Sequence, residues 1–301
     1  MKKSLIAVIV IILVIILGAG VYFWMQQSSN TANVTPPDTT GTTPDTTQAT
    51  TTAEGASVVI GKSAGGNDIT AYNYGTGDTR ILFVGGIHGG YEWNTSLVAY
   101  QLMDYLEAHP DAIAKNETVT VIPVVNPDGL KKVVGTAGPF TAADVTVSSA
   151  ATVPGRFNAN TVDLNRNFDC DWQAEGTWQN TKVSGGTSAF SEPESQAIKA
   201  YVESHDPAAV IVWYSSAGGV YASSCHNGVS AATAALTKTF ADASGYPAHQ
   251  TFDFYEITGD MVNWLAKNQI PAISVLLTNH TDTEWTKNWK GIAAVLNAYA
   301  E

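Results

Sequence analysis

The chain has 301 residues, of which 45% are hydrophobic and 14% charged, and its formal net charge is −12. That length suits one large domain or two small ones, and the apolar share is enough for a sizeable core. The acidic balance argues against a phosphate-binding surface, so nucleic acid is not an expected partner, while a neutral or cationic substrate meets less repulsion.

Residues 4–25 read SLIAVIVIILVIILGAGVYFWM, an uncharged apolar run long enough to cross a bilayer core as a helix. Lys2 and Lys3 precede it, which favours a cytoplasmic N-terminus. Tyr22, Phe23 and Trp24 at its far end suit the opposite interface. A cleaved leader is the rival reading, since Gly18-Ala19-Gly20 offers small residues. The bulky aromatics that follow make a poor mature start, and a single-pass anchor over residues 1–25 is expected. Residues 26–57 are rich in Thr, Pro, Asp and Gly. Such a segment buries too little surface to offset its ordering entropy. It is expected to be a flexible stalk, open to O-glycosylation in a host that performs it. The remaining residues, 58–301, then form an extracytoplasmic domain. Its two cysteines, Cys170 and Cys225, are expected to pair as a disulfide outside the reducing cytoplasm, two separate buried thiols being the alternative.

From residue 58 onward short apolar runs alternate with amphipathic stretches. Strands are expected over 69–74, 80–85, 118–124, 208–213 and 271–277, several of them apolar throughout, as strands covered on both faces are. Helices are expected over 92–107, 192–204, 230–244, 259–267 and 286–299, with Pro193 where a first helical turn tolerates it. The alternation predicts a three-layer α/β domain with a mixed sheet and a ligand site at the carboxyl ends of the strands. Residues 131–160 show little periodicity and are expected to form surface loops over that edge.

His88 follows the strand RILFVGG, and Glu92 opens the next helix. A His and a Glu on one tight loop can reach one metal ion. Gly85, Gly86, Gly89 and Gly90 permit the path. The plainer alternative is a glycine-rich turn in which Glu92 only complements the helix dipole.

Further motifs follow in order: IGKSAGGNDITAYNYG, GGIHGGYEW, VVNPDGL, RFNANTVDLNRNF, FSEPES and YEITGDMVNW. With this series the chain resembles the zinc carboxypeptidase family over nearly all of residues 58–301. The resemblance implies a zinc-carboxypeptidase-like fold binding Zn2+, with His88 and Glu92 as ligands. Asp163 would hydrogen-bond the far nitrogen of His88. Asn165 and Arg166 would grip the free C-terminal carboxylate of a peptide substrate. Arg156 would stabilise the oxyanion, and Tyr255, nine residues before Trp264, would be the mobile tyrosine that covers the substrate. Asp260 and Val262 fall on the loop lining the terminal side-chain pocket. A carboxylate at Asp260 would favour a basic or amine-bearing residue, and Val262 an apolar one. Structural alternatives remain: an Asp163–Arg166 ion pair, a half-buried Tyr255, a helix-capping Asp260.

The family pattern breaks at three places. Three residues rather than two separate His88 from Glu92, an insertion a loop can absorb. The third ligand position falls on Tyr214 or Ser215, neither a usual zinc ligand; His226, beside Cys225, is a candidate substitute, with an ordinary surface-loop histidine as the alternative. The general-base position falls on Leu276 or Leu277, which take no proton; Glu284 is a candidate base and His280 a candidate ligand, although Asp282 and Glu284 are also ordinary acids at a helix start. Two functions stay open: a zinc-dependent exopeptidase acting on peptides, cell-wall peptides among them, and a non-catalytic peptide-binding module of the same fold. A serine hydrolase using Ser216 is a third reading, which lacks the preceding glycine and an Asp…His order.

Overall fold

Alternating apolar runs become strands and helices over most of the chain. The computed structural model describes residues 56–145 and 148–300. The expected anchor and almost all of the expected stalk lie outside them. Among the described residues no helix is long and apolar enough to cross a membrane.

The strands are β1 (Ala56–Lys62), β2 (Asp68–Gly75), β3 (Thr79–Val84), β4 (Glu117–Ile122), β5 (Glu175–Trp178), β6 (Thr181–Ser184), β7 (Ala209–Ser215), β8 (Gly219–Ala222), β9 (Ala248–His249) and β10 (Ala272–Leu277). Eight form one sheet in the order β1-β2-β4-β3-β7-β10-β8-β9, and β5 and β6 make a separate ribbon. β4, β3, β7 and β10 run parallel at the centre. β2 and β8 flank them antiparallel, so the sheet is mixed as expected. The main helices are α1 (Trp93–Ala108), α2 (Pro127–Val134), α3 (Pro193–His205), α4 (Ala231–Ser244), α5 (Met261–Lys267) and α6 (Trp285–Tyr299).

Strand side chains alternate between two apolar layers. Ile81, Phe83, Ile211, Trp213, Ile273 and Val275 pack with Leu102 of α1, Phe240 of α4 and Val295 of α6. Leu82, Val84, Val210, Val212, Tyr214 and Leu276 pack with Ile198 of α3 and Trp264 of α5. Trp213 is fully buried, lies 5.6 Å from Phe83 and donates its Nε1–H to Asn288 at 2.9 Å. Tyr214 and Leu276 are direct partners on the paired strands β7 and β10. Of the candidate positions for the missing ligand and base, Tyr214 and Leu276 therefore sit side by side on the face toward α3 and α5, and Ser215 pairs with Leu277.

Residues 131–160 depart from expectation. Lys131–Val134 complete α2, which starts at Pro127 with Asn126 capping Gly129 N–H. Val153–Arg156 form a short 3-10 turn, and Arg156 and Asn158 are buried. Apart from Val145, the buried side chains described here are polar, so no apolar period marks them. The sheet starts at Ala56, slightly before the expected domain boundary.

Cys170 and Cys225 form a disulfide with a sequence separation of 55. It ties the loop after Asn167 to the loop after β8. Cys225→Ser is expected to lower unfolding free energy by about 2–4 kcal/mol, chiefly by freeing the unfolded chain. Urea midpoints under oxidising conditions measure this, and an unchanged midpoint contradicts it.

Candidate active site

The chain leaves β3 through Gly86, at φ 64°, and Gly89, at φ 46°, a backbone region that side chains with a Cβ avoid. A Cβ on Gly89 would also sit 2.7 Å from Gly155 O and 2.8 Å from Leu130 N. Gly89–Glu92 then wind one 3-10 turn before α1. That turn absorbs the extra residue and returns Glu92 to the side of His88. His88 Nδ1 lies 3.0 Å from Glu92 Oε1, and both side chains are about 95% buried. The VVNPDGL segment clamps this loop: Asn126 N–H donates to Gly86 O at 2.9 Å, and Asn126 Nδ2 donates to Arg156 O at 3.2 Å.

His88 Nε2 faces Asp163 Oδ1 at 3.4 Å. Arg156 closes on the other oxygen of Asp163, with Nε and Nη2 each 2.8 Å from Oδ2. Burial pushes the Asp163 carboxyl up, but Arg156, His88 and Arg166 together hold it well below the usual range. Its charged partner is thus Arg156 rather than Arg166. Arg156 Nη1 stays 4.0 Å from Glu92 Oε1, and the guanidinium lies 4.5 Å from the centre of the Trp178 ring.

Arg166 is 1% exposed and donates only to main-chain carbonyls, Nη1 to Asn165 O and Nη2 to Thr177 O, each at 2.7 Å. Among the described residues it forms no ion pair. Asn165 Oδ1 accepts from Tyr214 Oη at 3.2 Å and from Met261 N at 3.1 Å, which leaves its amide hydrogens free. Tyr214 therefore orients Asn165. Its phenol, raised far above its ordinary range by burial and nearby carboxylates, stays neutral. The Tyr255 ring lies 5.9 Å from the Arg166 guanidinium. Asp260 caps α5 by accepting from Asn263 N at 3.3 Å and Nδ2 at 2.8 Å. Burial pushes its carboxyl up to about 6 against the pull of Arg166. His88, Glu92, Arg156, Asn165, Arg166, Tyr255, Asp260 and Val262 all line one cavity of about 950 Å³.

Two expected substitutes are not there. His226 is 68% exposed, pairs with Asp171 at 3.0 Å and does not line the cavity, so it is not a ligand of this site. Its neighbour Cys225 turns away to the disulfide, and although Cys170, Asp171 and Cys225 cluster, both sulfurs are consumed by the bond. Glu284 is also outside the cavity. Its carboxylate accepts from Thr278 N at 2.7 Å, Thr278 Oγ1 at 2.9 Å, Tyr246 Oη at 2.7 Å and Lys287 Nζ at 2.7 Å. Burial pushes Glu284 up, but these donors bring it down to about 2, too acidic for a base. His280 does line the cavity. So does Ser216, but the turn after β7 leads into strand β8 rather than a helix, unlike a hydrolase nucleophile elbow.

His88 and Glu92 offer two donors for a metal ion, and among the described residues no third His, Cys, Asp or Glu side chain completes a three-donor set with them within 4.8 Å. Both ring nitrogens of His88 and Oε2 of Glu92 are buried without a hydrogen bond, a costly state unless another partner is bound. The 3.0 Å between Nδ1 and Oε1 is close to the roughly 3.4 Å between donors on a tetrahedral ion with bonds of about 2.1 Å.

Over residues 47–284 the chain matches the model of the zinc carboxypeptidase family. Zinc carboxypeptidase A 1 of Anopheles gambiae is 30% identical over 147 residues, which are 44% of this chain and 30% of that protein. The chain spans less than a third of the curated relatives it matches. The solved structure of the murein-tripeptide amidase MpaA from Escherichia coli O157 superposes with a TM-score of 0.56 at 20% identity, over 81% of this chain and 92% of that one. Carboxypeptidase A from Helicoverpa armigera gives 0.64 at 19% identity, over 82% and 68%. From its matched length and its ordered motifs, the chain belongs to the zinc carboxypeptidase family.

Proposed function

We propose that the chain is a zinc-dependent exopeptidase that acts outside the cytoplasm on peptides with a free C-terminal carboxylate, held at a membrane by residues 4–25. The observation that carries this reading is the buried, unpaired Arg166 guanidinium in the same cavity as the orphaned donor atoms of His88 and Glu92. A buried guanidinium with no carboxylate in ion-pair contact is ready to take an anion. A guanidinium fork matches a carboxylate, and the free Asn165 amide adds donors beside it. His88 Nδ1 and Glu92 would hold zinc, which supplies a Lewis acid and an acidified water when bound. Arg156 Nη1, which is not committed to Asp163, would stabilise the developing negative charge of a scissile carbonyl held beside the His88–Glu92 pair. Tyr255, kept neutral because burial raises its phenol, can donate a hydrogen bond from the mouth. The disulfide fits an oxidising compartment. One solved structure of this fold is a murein-tripeptide amidase, which makes a cell-wall peptide one substrate to try.

Hydrolysis of a peptide and of its C-terminal amide, with and without zinc, tests the reading. Zinc-dependent release of the terminal residue from the free acid alone supports it; equal cleavage of both forms contradicts it.

Asp260 deepens the terminal pocket and would pair with a basic or amine-bearing terminal residue. Its carboxyl titrates at about 6, and only the ionised form attracts an ammonium group. KM for a peptide ending in Lys is therefore expected to fall as pH rises through about 6, while KM for one ending in Phe stays flatter. A panel ending in Lys, Phe and diaminopimelate measures this, and parallel profiles rule out the Asp260 role.

Tyr214 and Leu276 support a second reading, a peptide-binding module without catalysis. That reading predicts saturable binding of free-acid peptides with no turnover at any zinc concentration.

A further inference from the structure

Leu276 leaves the cavity without the carboxylate that would take a proton at the end of β10. A nitrogen base stands nearby, and its protonation is fixed by a chain of buried hydrogen bonds. Asn94, with no solvent exposure, spends both amide hydrogens on the loop after β10, donating to Asn279 O at 2.8 Å and Asp282 O at 3.0 Å. Its Oδ1 must therefore accept, and Ser215 Oγ donates to it at 3.1 Å. A serine hydroxyl has one hydrogen. The 2.7 Å contact between Ser215 Oγ and His280 Nδ1 must then be an Nδ1–H donation into the hydroxyl oxygen. The neutral ring so held carries its lone pair on Nε2, which makes no hydrogen bond to any described residue. The ring packs 4.7 Å from Tyr91 and lines the cavity. Glu92, His88 and Arg156 are the charged and titratable groups that act on it.

We propose that His280 Nε2 is the proton acceptor of hydrolysis at this site, with Ser215 and Asn94 as its positioning residues. This rests on the reading of the cavity as a peptidase site. A ligand role fits less well, because the donor atoms of His88, Glu92 and His280 do not all fall within 4.8 Å of one another. The attacking water would lie between the ring and the His88–Glu92 pair, all of which line the same cavity. Nε2 takes one proton of this water as its oxygen bonds to the carbonyl carbon. It returns that proton to the amide nitrogen as the C–N bond breaks, and the ring ends neutral. Burial holds the imidazole below its ordinary pKa, so it is free to accept at neutral pH.

The test uses the 15N-labelled full chain, with and without zinc, and the variants His280→Gln and Ser215→Ala. Histidine 15N spectra are expected to show a protonated Nδ1 and an unprotonated Nε2 for His280, with the tautomers redistributing in Ser215→Ala. Zinc affinity by chelator competition is expected to stay within about threefold in His280→Gln, while peptide turnover falls by about 10²–10⁴-fold. Loss of zinc affinity in His280→Gln would make it a ligand and overturn the proposal. So would an Nε2–H tautomer, or turnover that survives the substitution. Zinc-loaded wild type without any turnover fails the peptidase reading itself, whereas wild-type turnover retained in His280→Gln fails only the role of His280. Unchanged circular dichroism and melting temperature in Ser215→Ala and His280→Gln separate these outcomes from misfolding.

Discussion

Asp163→Asn lowers the unfolding free energy by about 3–5 kcal/mol, because it strips the counter-charge from a buried guanidinium. Asp163 has no solvent exposure and Arg156 is 1% exposed, so water cannot replace the lost partner. Denaturant midpoints of wild type and variant measure the loss. The same carboxylate sets an acid limb. Its folded pKa is depressed below the ordinary aspartate value of 3.8, so its stabilisation is complete above that unfolded value and is lost as pH falls toward the folded one. Wild-type stability should fall steeply as pH drops below about 4, and Asp163→Asn should flatten that limb. A variant as stable as wild type, with the same acid limb, would show that the Arg156–Asp163 pair contributes nothing. Zinc affinity should weaken too, since Asp163 faces the far nitrogen of His88 at 3.4 Å, and removing such an orienting partner costs about 10–100-fold in metal affinity.

Arg166→Ala is expected to lower kcat/KM for a free-acid peptide by about 10²–10⁴-fold, as two charge-assisted hydrogen bonds of about 1.5–3 kcal/mol each are lost. The discrimination between free acid and amide should collapse with it. Lysine should not rescue, because an ammonium group cannot reproduce the planar fork. Arg166 also ties Asn165 O and Thr177 O, so melting curves must accompany the kinetics. A folded variant that keeps its preference for the free acid would place the carboxylate elsewhere.

The central strands were legible because they are covered on both faces: β4, β7 and β10 are buried at every position. β1 was not among the strands expected from the pattern, since its Val58 and Val59 are exposed. β8 has four residues, too few for a period, and the short β5–β6 ribbon buries only Trp178 and Val183 as apolar side chains. In the site, residues carried by motifs reached one cavity: His88, Glu92, Arg156, Asn165, Arg166, Tyr255 and Asp260. His226 was misjudged because nearness to Cys225 in sequence says nothing of which way a loop turns. Glu284 was misjudged because sequence does not show that four donors already occupy its carboxylate. The positioning roles of Asn94, Asn126 and Ser215 were missed, since a polar side chain in a sequence does not show which group it holds in place. Only the insertion before Glu92 hinted that α1 enters the site through an unusual turn.

Zinc content of the purified full chain, beside His88→Ala, is the deciding measurement. One zinc per wild-type chain is expected, with loss of that zinc in a folded His88→Ala variant. A folded wild type that binds no zinc, or a His88→Ala variant that binds it as tightly, would contradict that expectation.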